Sequence, residues 1–208
     1  MPTGSDPAAP APRRLSEQLS AWLSGDDRSL GGLIDLFGPK SFAVVFVVLM
    51  SVPALPLPTG GATHVFEILV AVGALQLIIG RDEIWIPARW RGLAVGGGGP
   101  DSRFFRVFLA VIRGLERISR PRMATAMRSR LAGIAFGLIA LVGTVAAFLA
   151  PPFTGLDTVP SIGVVVVSIG VLLEDALIAV AGALLVGGGI LLEVLLAKLA
   201  ITAASRII

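Results

Sequence analysis

The chain has 208 residues, of which 55% are hydrophobic and only 15% are charged, and its formal net charge is +3. Soluble domains average about 25% charged residues, so this composition excludes an ordinary water-soluble globule. The absence of cysteine excludes disulfides, and with a single histidine we expect no metal site and no cofactor. Basic residues in so apolar a chain indicate contact with membrane lipids rather than with nucleic acid.

The N-terminal region divides into a tail and two amphipathic segments. Residues 1–14 are rich in Pro and Ala and lack the apolar core of a signal peptide, so we expect a disordered tail before a single membrane domain, 15–208. Apolar residues then recur at helical spacing in Ser16–Leu23 and Leu30–Phe37. This pattern predicts helices lying flat at the membrane interface; the alternative is two surface helices of a soluble cap.

A Pro- and Gly-rich stretch interrupts the first apolar region, repeat one (about 29–90). The apolar legs on either side of this stretch are Phe42–Ala54 and Val65–Ile79. Each leg has roughly 15 residues, whereas a helix that crosses a bilayer needs ~20. Two short legs joined by such a turn predict a re-entrant hairpin, with tilted or locally thinned spans as the alternative.

The interfacial linker, 91–130, lies within a basic section that carries most of the positive charge. Eleven of the 17 Lys and Arg residues lie between Arg81 and Arg130, which predicts a cytoplasmic location for this section. Within it, 103–120 has an apolar face and a basic face, which predicts an interfacial helix with a lipid-facing stripe. The two faces consist of Phe104, Phe108, Val111 and Leu115, and of Arg106, Arg113, Arg117 and Arg120.

Repeat two, about 131–204, has a similar order of segments. The uncharged run Leu131–Ala150 ends at prolines, a short leg Val159–Leu173 follows, and Ala176–Ala204 is long enough to form a C-terminal membrane helix. Small residues in this last run, including Ala183 and Gly187, have the spacing that lets helices approach closely. We expect a homodimer through this face; packing within the chain is an equal alternative.

The two halves share a motif at the turn of each hairpin. Prolines and then Thr-Gly-x-x-Thr occur twice, as Thr59, Gly60 and Thr63 and as Thr154, Gly155 and Thr158. Paired interrupted segments are typical of repeat membrane folds whose binding sites lie at the repeat interface. An inverted arrangement would require 131–150 to cross fully and the two hairpins to enter from opposite faces.

The second threonine of each motif is a candidate N-cap for the leg that follows it. Helices that begin within the bilayer would point their free N–H groups and positive dipole ends at an anion or a polar head group. The alternative is that the prolines and threonines only close two turns. We expect the two turns to approach each other, because non-helical backbone at membrane depth must be covered by protein or water.

Intramembrane ionisable residues are costly and are therefore functional candidates. His64 and Glu67, at i and i+3, can pair or share a proton; a position at a watery turn is the alternative. Gln76 is expected to hydrogen-bond a neighbouring helix, and Asp157 to be an exposed turn residue rather than a partner of His64. The residues assigned to substrate binding are Thr59, Gly60, Thr63, His64, Glu67, Thr154, Gly155 and Thr158. No catalytic or metal-binding motif is visible in the sequence, so no catalytic residue is assigned.

Several segments carry a resemblance to a known family. They are the stretches 56–61, 63–68, 80–87 and 151–153, and 173–176, where Glu174-Asp175-Ala176 stands in place of an Arg-Asp-Gly found in many members. Together they make the chain, over about Leu15–Gly188, similar to the ExoD family of bacterial exopolysaccharide-synthesis proteins. The resemblance implies a multi-pass protein of the bacterial inner membrane and names a process rather than a reaction.

We therefore predict an all-α integral membrane protein with two repeated broken-helix hairpins, interfacial amphipathic helices and a C-terminal membrane helix. Its expected function is exopolysaccharide synthesis, by binding or transporting a small or lipid-linked anionic substrate such as a lipid-linked sugar. The alternative is a non-catalytic scaffold for polysaccharide-synthesis enzymes. A lipid-modifying enzyme is disfavoured, because no nucleophile and base occur together in a recognisable motif.

Overall fold

The computed structural model describes residues 14–25, 29–55, 63–92, 103–120, 123–151 and 154–205. Within these ranges the protein is all-helical, as the composition predicts, and a short 3-10 turn joins the second helix to the third. The helices are α1 (Leu15–Ser24), α2 (Leu30–Phe37), α3 (Ser41–Met50), α4 (His64–Ile79), α5 (Ala88–Arg91), α6 (Arg103–Ile118), α7 (Ala124–Met127), α8 (Arg130–Leu149), α9 (Thr158–Leu172) and α10 (Ala176–Ala204).

Helix α3 is the centre of the bundle. Every one of its residues is buried, because its Phe, Val and Leu side chains leave no polar face. Helices α2, α4 and α9 pack around it. Just before its first residue, the Lys40 ammonium donates a hydrogen bond to the carbonyl of Leu172, 3.1 Å away. The start of α3 therefore lies beside the end of α9, and the two helices run antiparallel.

Helices α4 and α8 also run antiparallel. Gly80 ends α4 with a φ of +97°, a conformation that favours glycine, and the guanidinium of Arg130 lies beside it. At the other end of the pair, the rings of His64 and Phe148 have centroids 4.6 Å apart. The first residue of α4 thus lies next to the last turn of α8.

Helices α9 and α10 pack through glycines. A Cβ atom added to Gly182 would lie 2.3 Å from the backbone nitrogen of Val167, and one added to Gly170 would lie 2.4 Å from that of Ala179. Gly187, in contrast, faces open space. Packing within the chain therefore explains why residue 182 is a glycine. The homodimer stays a prediction.

The contacts above define two ends of the bundle. At the turn end, α3 and α8 finish and α4 and α9 begin. At the basic end, Glu174 accepts hydrogen bonds from the Arg128 guanidinium (3.0 Å) and pairs with Lys40 (3.2 Å). Helices α3, α8 and α10 all start at the basic end, so the described legs on either side of each turn run in the same sense in both halves. This arrangement differs from the one that inverted repeats would require, in which the two hairpins enter from opposite faces.

Three stretches are long and apolar enough to cross a membrane: Leu30–Met50, Arg130–Leu149 and Ala176–Ala203. Helices α4 and α9 are apolar but shorter. Helix α10 leaves large apolar side chains exposed, Leu184 at 71% for example. A surface of this kind is suited to lipid, so the structure agrees with the composition in describing a membrane protein.

The amphipathic helices differ from expectation, because protein covers much of their apolar surface. Leu30 and Leu33 of α2 are fully buried in the core. Helix α6 packs on α1, where Ser16 donates hydrogen bonds to the Glu116 carboxylate from its hydroxyl (2.6 Å) and its backbone N–H (2.8 Å). The expected lipid-facing stripe of α6 is therefore wrong in part: Phe108 is buried, whereas Val111 is exposed. The Phe104 side chain lies outside the described atoms.

Candidate functional site

The first polar group of interest lies at the turn end, in the first turn of α4. The Glu67 carboxylate is buried, with 1% of the residue exposed, and its Oε2 atom lies 2.7 Å from Nδ1 of His64. The i, i+3 spacing on one helix makes this contact local, and the pairing inferred from the sequence is present. The His64 side chain is 35% exposed, so the pair connects a buried carboxylate to the surface.

The other carboxylate oxygen of Glu67, Oε1, differs from Oε2 in its hydrogen bonding. The Thr63 hydroxyl lies close to the carboxylate, but Oε1 has no hydrogen-bond partner of good geometry among the described residues. An unsatisfied buried acceptor costs about 1–3 kcal/mol, and more when it is charged. This oxygen is therefore available to a ligand or a proton.

The start of α9 faces the same region. Asp157 precedes the helix, is half-buried and lies within electrostatic range of both His64 and Glu67. The Ser161 hydroxyl is fully buried, and neither it nor the Thr158 hydroxyl has a partner in the described part of the chain. Asp157 is therefore half-buried at the start of α9, within electrostatic range of the first turn of α4, instead of lying exposed in the turn.

Helix α10 contributes a further carboxylate. Pro160 of α9 packs against Gly189 of α10, so closely that a Cβ there would lie 2.7 Å from the proline ring. Glu193 is one helical turn beyond Gly189, on the same face, and interacts electrostatically with Asp157. Its Oε1 atom is buried without a partner among the described atoms. We call the four ionisable residues the acidic cluster: His64, Glu67, Asp157 and Glu193.

The remaining residues assigned to substrate binding have other positions. The Thr154 hydroxyl donates a hydrogen bond to the Pro151 carbonyl (2.6 Å), and Gly155 adopts a φ of +70° with open space around it. These two residues shape the turn before α9. Thr59 and Gly60 lie outside the described residues.

Three local expectations are wrong. Thr63 has helical backbone angles, with φ −72° and ψ −22°, whereas a capping side chain needs an extended residue; it does not cap α4. Thr158 is already the first residue of α9, so its hydroxyl does not cap that helix either. Gln76 bonds the backbone N–H and carbonyl of Trp85, at 2.7 and 2.9 Å, in the segment after its own helix rather than on a neighbouring one.

A family model described as "Exopolysaccharide synthesis, ExoD" matches residues 14–195, which include the whole acidic cluster. The chain belongs to the ExoD family. Among known proteins, this ExoD protein is 30% identical over 173 residues to an uncharacterized protein of Synechocystis sp., a match that covers 81% of this chain and 80% of the other. No solved structure matches it.

The candidate site includes three residues that the sequence did not lead us to assign to it: Asp157, Ser161 and Glu193. Glu193 carried a usable signal, because a lone acid within 29 helical residues of high hydropathy is a functional candidate by its cost alone. No comparable sequence signal pointed to Ser161, since serine is common in membrane helices. Asp157 was considered from the sequence, but His64, with which it interacts electrostatically, lies 93 positions earlier. Only the packing of the helices brings the two residues within range of each other.

Proposed function

We propose that this ExoD protein supports exopolysaccharide synthesis from within the bacterial inner membrane, by binding or transporting a small or lipid-linked anionic substrate at the turn end. The observation that carries the proposal is the pair of hydroxyls without partners, on Ser161 and Thr158, at the start of α9. The positive end of the α9 dipole lies at the same place. Hydroxyl donors beside a positive dipole end suit a phosphate or a carboxylate.

Helix lengths support a turn end that lies within the bilayer. At a rise of ~1.5 Å per residue, the 16 residues of α4 and the 15 of α9 span roughly 24 and 22 Å, against a hydrocarbon thickness of ~30 Å. Helices of these lengths that end at the basic side of the membrane start short of the other side. The two turns then act as re-entrant elements.

The packing supports a two-fold relation between the halves. Helix α3 packs on α9 and α4 packs on α8, so each leg of one hairpin contacts the opposite leg of the other. Such a pattern fits repeats related by an axis along the membrane normal rather than inverted repeats. The substrate would then bind where the two second legs, α4 and α9, begin.

The basic surface of α6 supports an anionic or lipid-linked substrate. Arg106, Arg113 and Arg117 are all exposed, and α6 is tied to α1 by the Ser16–Glu116 hydrogen bonds. Exposed arginines near a membrane attract anionic head groups at ~1 kcal/mol each. This surface would concentrate a phosphate-bearing lipid beside the bundle.

Flux measurements in proteoliposomes test the proposal. We expect the protein to move at least one member of a panel of small anions and polyprenyl-linked sugars, and Ser161→Ala to lower the rate about tenfold, the effect of losing one hydrogen bond of ~1.4 kcal/mol. Ser168→Ala is the matched control, because this buried hydroxyl on the same helix already donates to the Val164 carbonyl at 2.7 Å. We expect it to leave the rate unchanged.

Two outcomes contradict the proposal. A complete absence of flux across the panel favours the scaffold for polysaccharide-synthesis enzymes. Equal losses in the two serine variants, with both proteins folded, move the binding site away from the start of α9.

A further inference from the structure

The acidic cluster has an excess of negative charge. Glu67, Asp157 and Glu193 supply three carboxylates, and His64 supplies one positive charge when it is protonated. With every carboxylate ionised, the cluster carries a net charge of −2 or −3. Asp157 lies within electrostatic range of both Glu67 and Glu193, and buried charges of one sign raise each other's energy, so the three carboxylates do not all stay ionised without compensation.

No basic side chain of the surrounding helices compensates this charge. Helices α4 and α9 contain no Lys or Arg, and neither does α3. The only charged side chain of α8, Arg130, lies at the basic end beside Gly80. On α10, Lys198 is five residues after Glu193 and points roughly 140° away from it around the helix. Within the described chain, His64 is the only cationic group that faces the carboxylates.

The depth of the cluster makes uncompensated charge expensive. By helical rise, Glu67 lies roughly 20 Å and Glu193 roughly 26 Å from the basic ends of their helices. Both distances fall within a hydrocarbon layer of ~30 Å, where an ionised acid costs a few kcal/mol. Neutralising the excess carboxylates removes this cost.

We propose that the acidic cluster is a proton-binding site whose protons travel with the anionic substrate. This inference rests on the proposed function for the identity of the travelling partner. A proton that arrives from water forms an O–H bond at a carboxylate oxygen, and Glu67 Oε1 is buried and free to receive it. On release, the same bond breaks and the proton returns to water through the partly exposed His64. An anion entering beside a protonated cluster meets no repulsion.

The arrangement of the groups favours a proton over a metal ion. Among the described residues, no three His, Asp or Glu side chains converge as ligands on one point. Carboxylates spread over three helices and linked pairwise by electrostatics instead form a chain along which a proton can move. The Ser161 and Thr158 hydroxyls, which both donate and accept, are suited to bonding a carboxylic acid.

Infrared difference spectroscopy on the full-length protein in lipid vesicles tests this site without any substrate. Raising the pH from about 5 to about 8, which withdraws bound protons, is expected to remove the C=O stretch of a buried carboxylic acid. We expect Glu67→Gln to abolish most of this signal and Glu193→Gln to reduce it. Glu83→Gln, at an exposed acid beyond the other end of α4, serves as the control and leaves it unchanged.

Each outcome decides something. A titrating C=O band that persists in both Glu67→Gln and Glu193→Gln overturns the proposal, as does the absence of any such band in the wild type. Loss of the band on adding Na⁺ at constant pH overturns it in favour of a sodium site. If Glu67→Gln does not fold, Glu193→Gln alone decides the matter. Because no substrate is present, a proton signal without flux refutes the proposed transport and leaves the proton site standing.

Discussion

Gly182→Ala is expected to destabilise the protein although it adds a single methyl group. The new Cβ would lie 2.3 Å from the Val167 nitrogen and 2.8 Å from its Cα. Ordinary contact begins at 3.4 Å, so α9 and α10 must separate locally by roughly 1 Å, a gap that forfeits a quarter to a half of each dispersion contact. Overpacking of this kind costs about 1–3 kcal/mol, and we expect a loss in the upper half of that range because backbone atoms cannot rotate away.

Gly187→Ala is the matched control on the same helix. No atom lies within 4 Å of its added methyl group, and replacing glycine by alanine within a helix is favourable by roughly 0.5–1 kcal/mol. Thermal unfolding in mild detergent, followed by tryptophan fluorescence and size-exclusion chromatography, should show a lower midpoint for Gly182→Ala and an equal or higher one for Gly187→Ala. Equal stability of Gly182→Ala and the wild type would refute the close α9–α10 contact. A loss at Gly187 confined to a dimeric fraction would reveal a partner copy at that face.

Two further changes probe the periphery of the bundle. Ser16→Ala removes both the hydroxyl and its bond to the Glu116 carboxylate, and we expect a loss of roughly 1–2 kcal/mol in unfolding free energy; an unchanged midpoint would contradict the docking of α1 on α6. At the basic end, hydrogen bonds from Arg128, aided by Lys40, hold the pKa of Glu174 below its ordinary value of 4.5. Because the folded-state pKa is the lower one, the stabilisation is complete above pH ~4.5 and is lost as the pH falls through the folded-state value. Glu174→Gln should therefore flatten the acid side of a plot of thermal midpoint against pH, and a profile identical to the wild type would refute the ion pair.

The helix boundaries were predictable because the residues at each end of an apolar run determine where the helix stops. The apolar run beginning at Val65 becomes α4, which ends at Gly80, and the run between Arg130 and the prolines at 151–152 becomes α8. In each case a residue that cannot continue a helix, or a glycine with positive φ, defines the end. The His64–Glu67 pair was accessible for the same reason, since both groups lie on one turn of one helix.

Which apolar face meets protein and which meets lipid was not predictable from hydropathy. Helices α3 and α10 both lack a continuous polar face, yet α3 is wholly buried and α10 is largely exposed. The sequence of the apolar face of α6 is suited to lipid, but α1 covers part of that face. The acidic cluster was unpredictable for the same reason, because Asp157 and Glu193 come within range of His64 only through the packing of α9 and α10.

The depth of the acidic cluster has an electrical consequence. With the basic end in the cytoplasm, as its charge predicts, the cluster lies roughly three quarters of the way across the hydrocarbon from the inside. One elementary charge crossing the whole field exchanges ~2.3 kcal/mol per 100 mV. Moving a proton between the outer side and the cluster would thus involve about 0.6 kcal/mol of that, and moving one between the cluster and the cytoplasm about 1.7 kcal/mol. Membrane voltage would therefore act about three times more strongly on proton exchange with the cytoplasm than on proton exchange with the outer side.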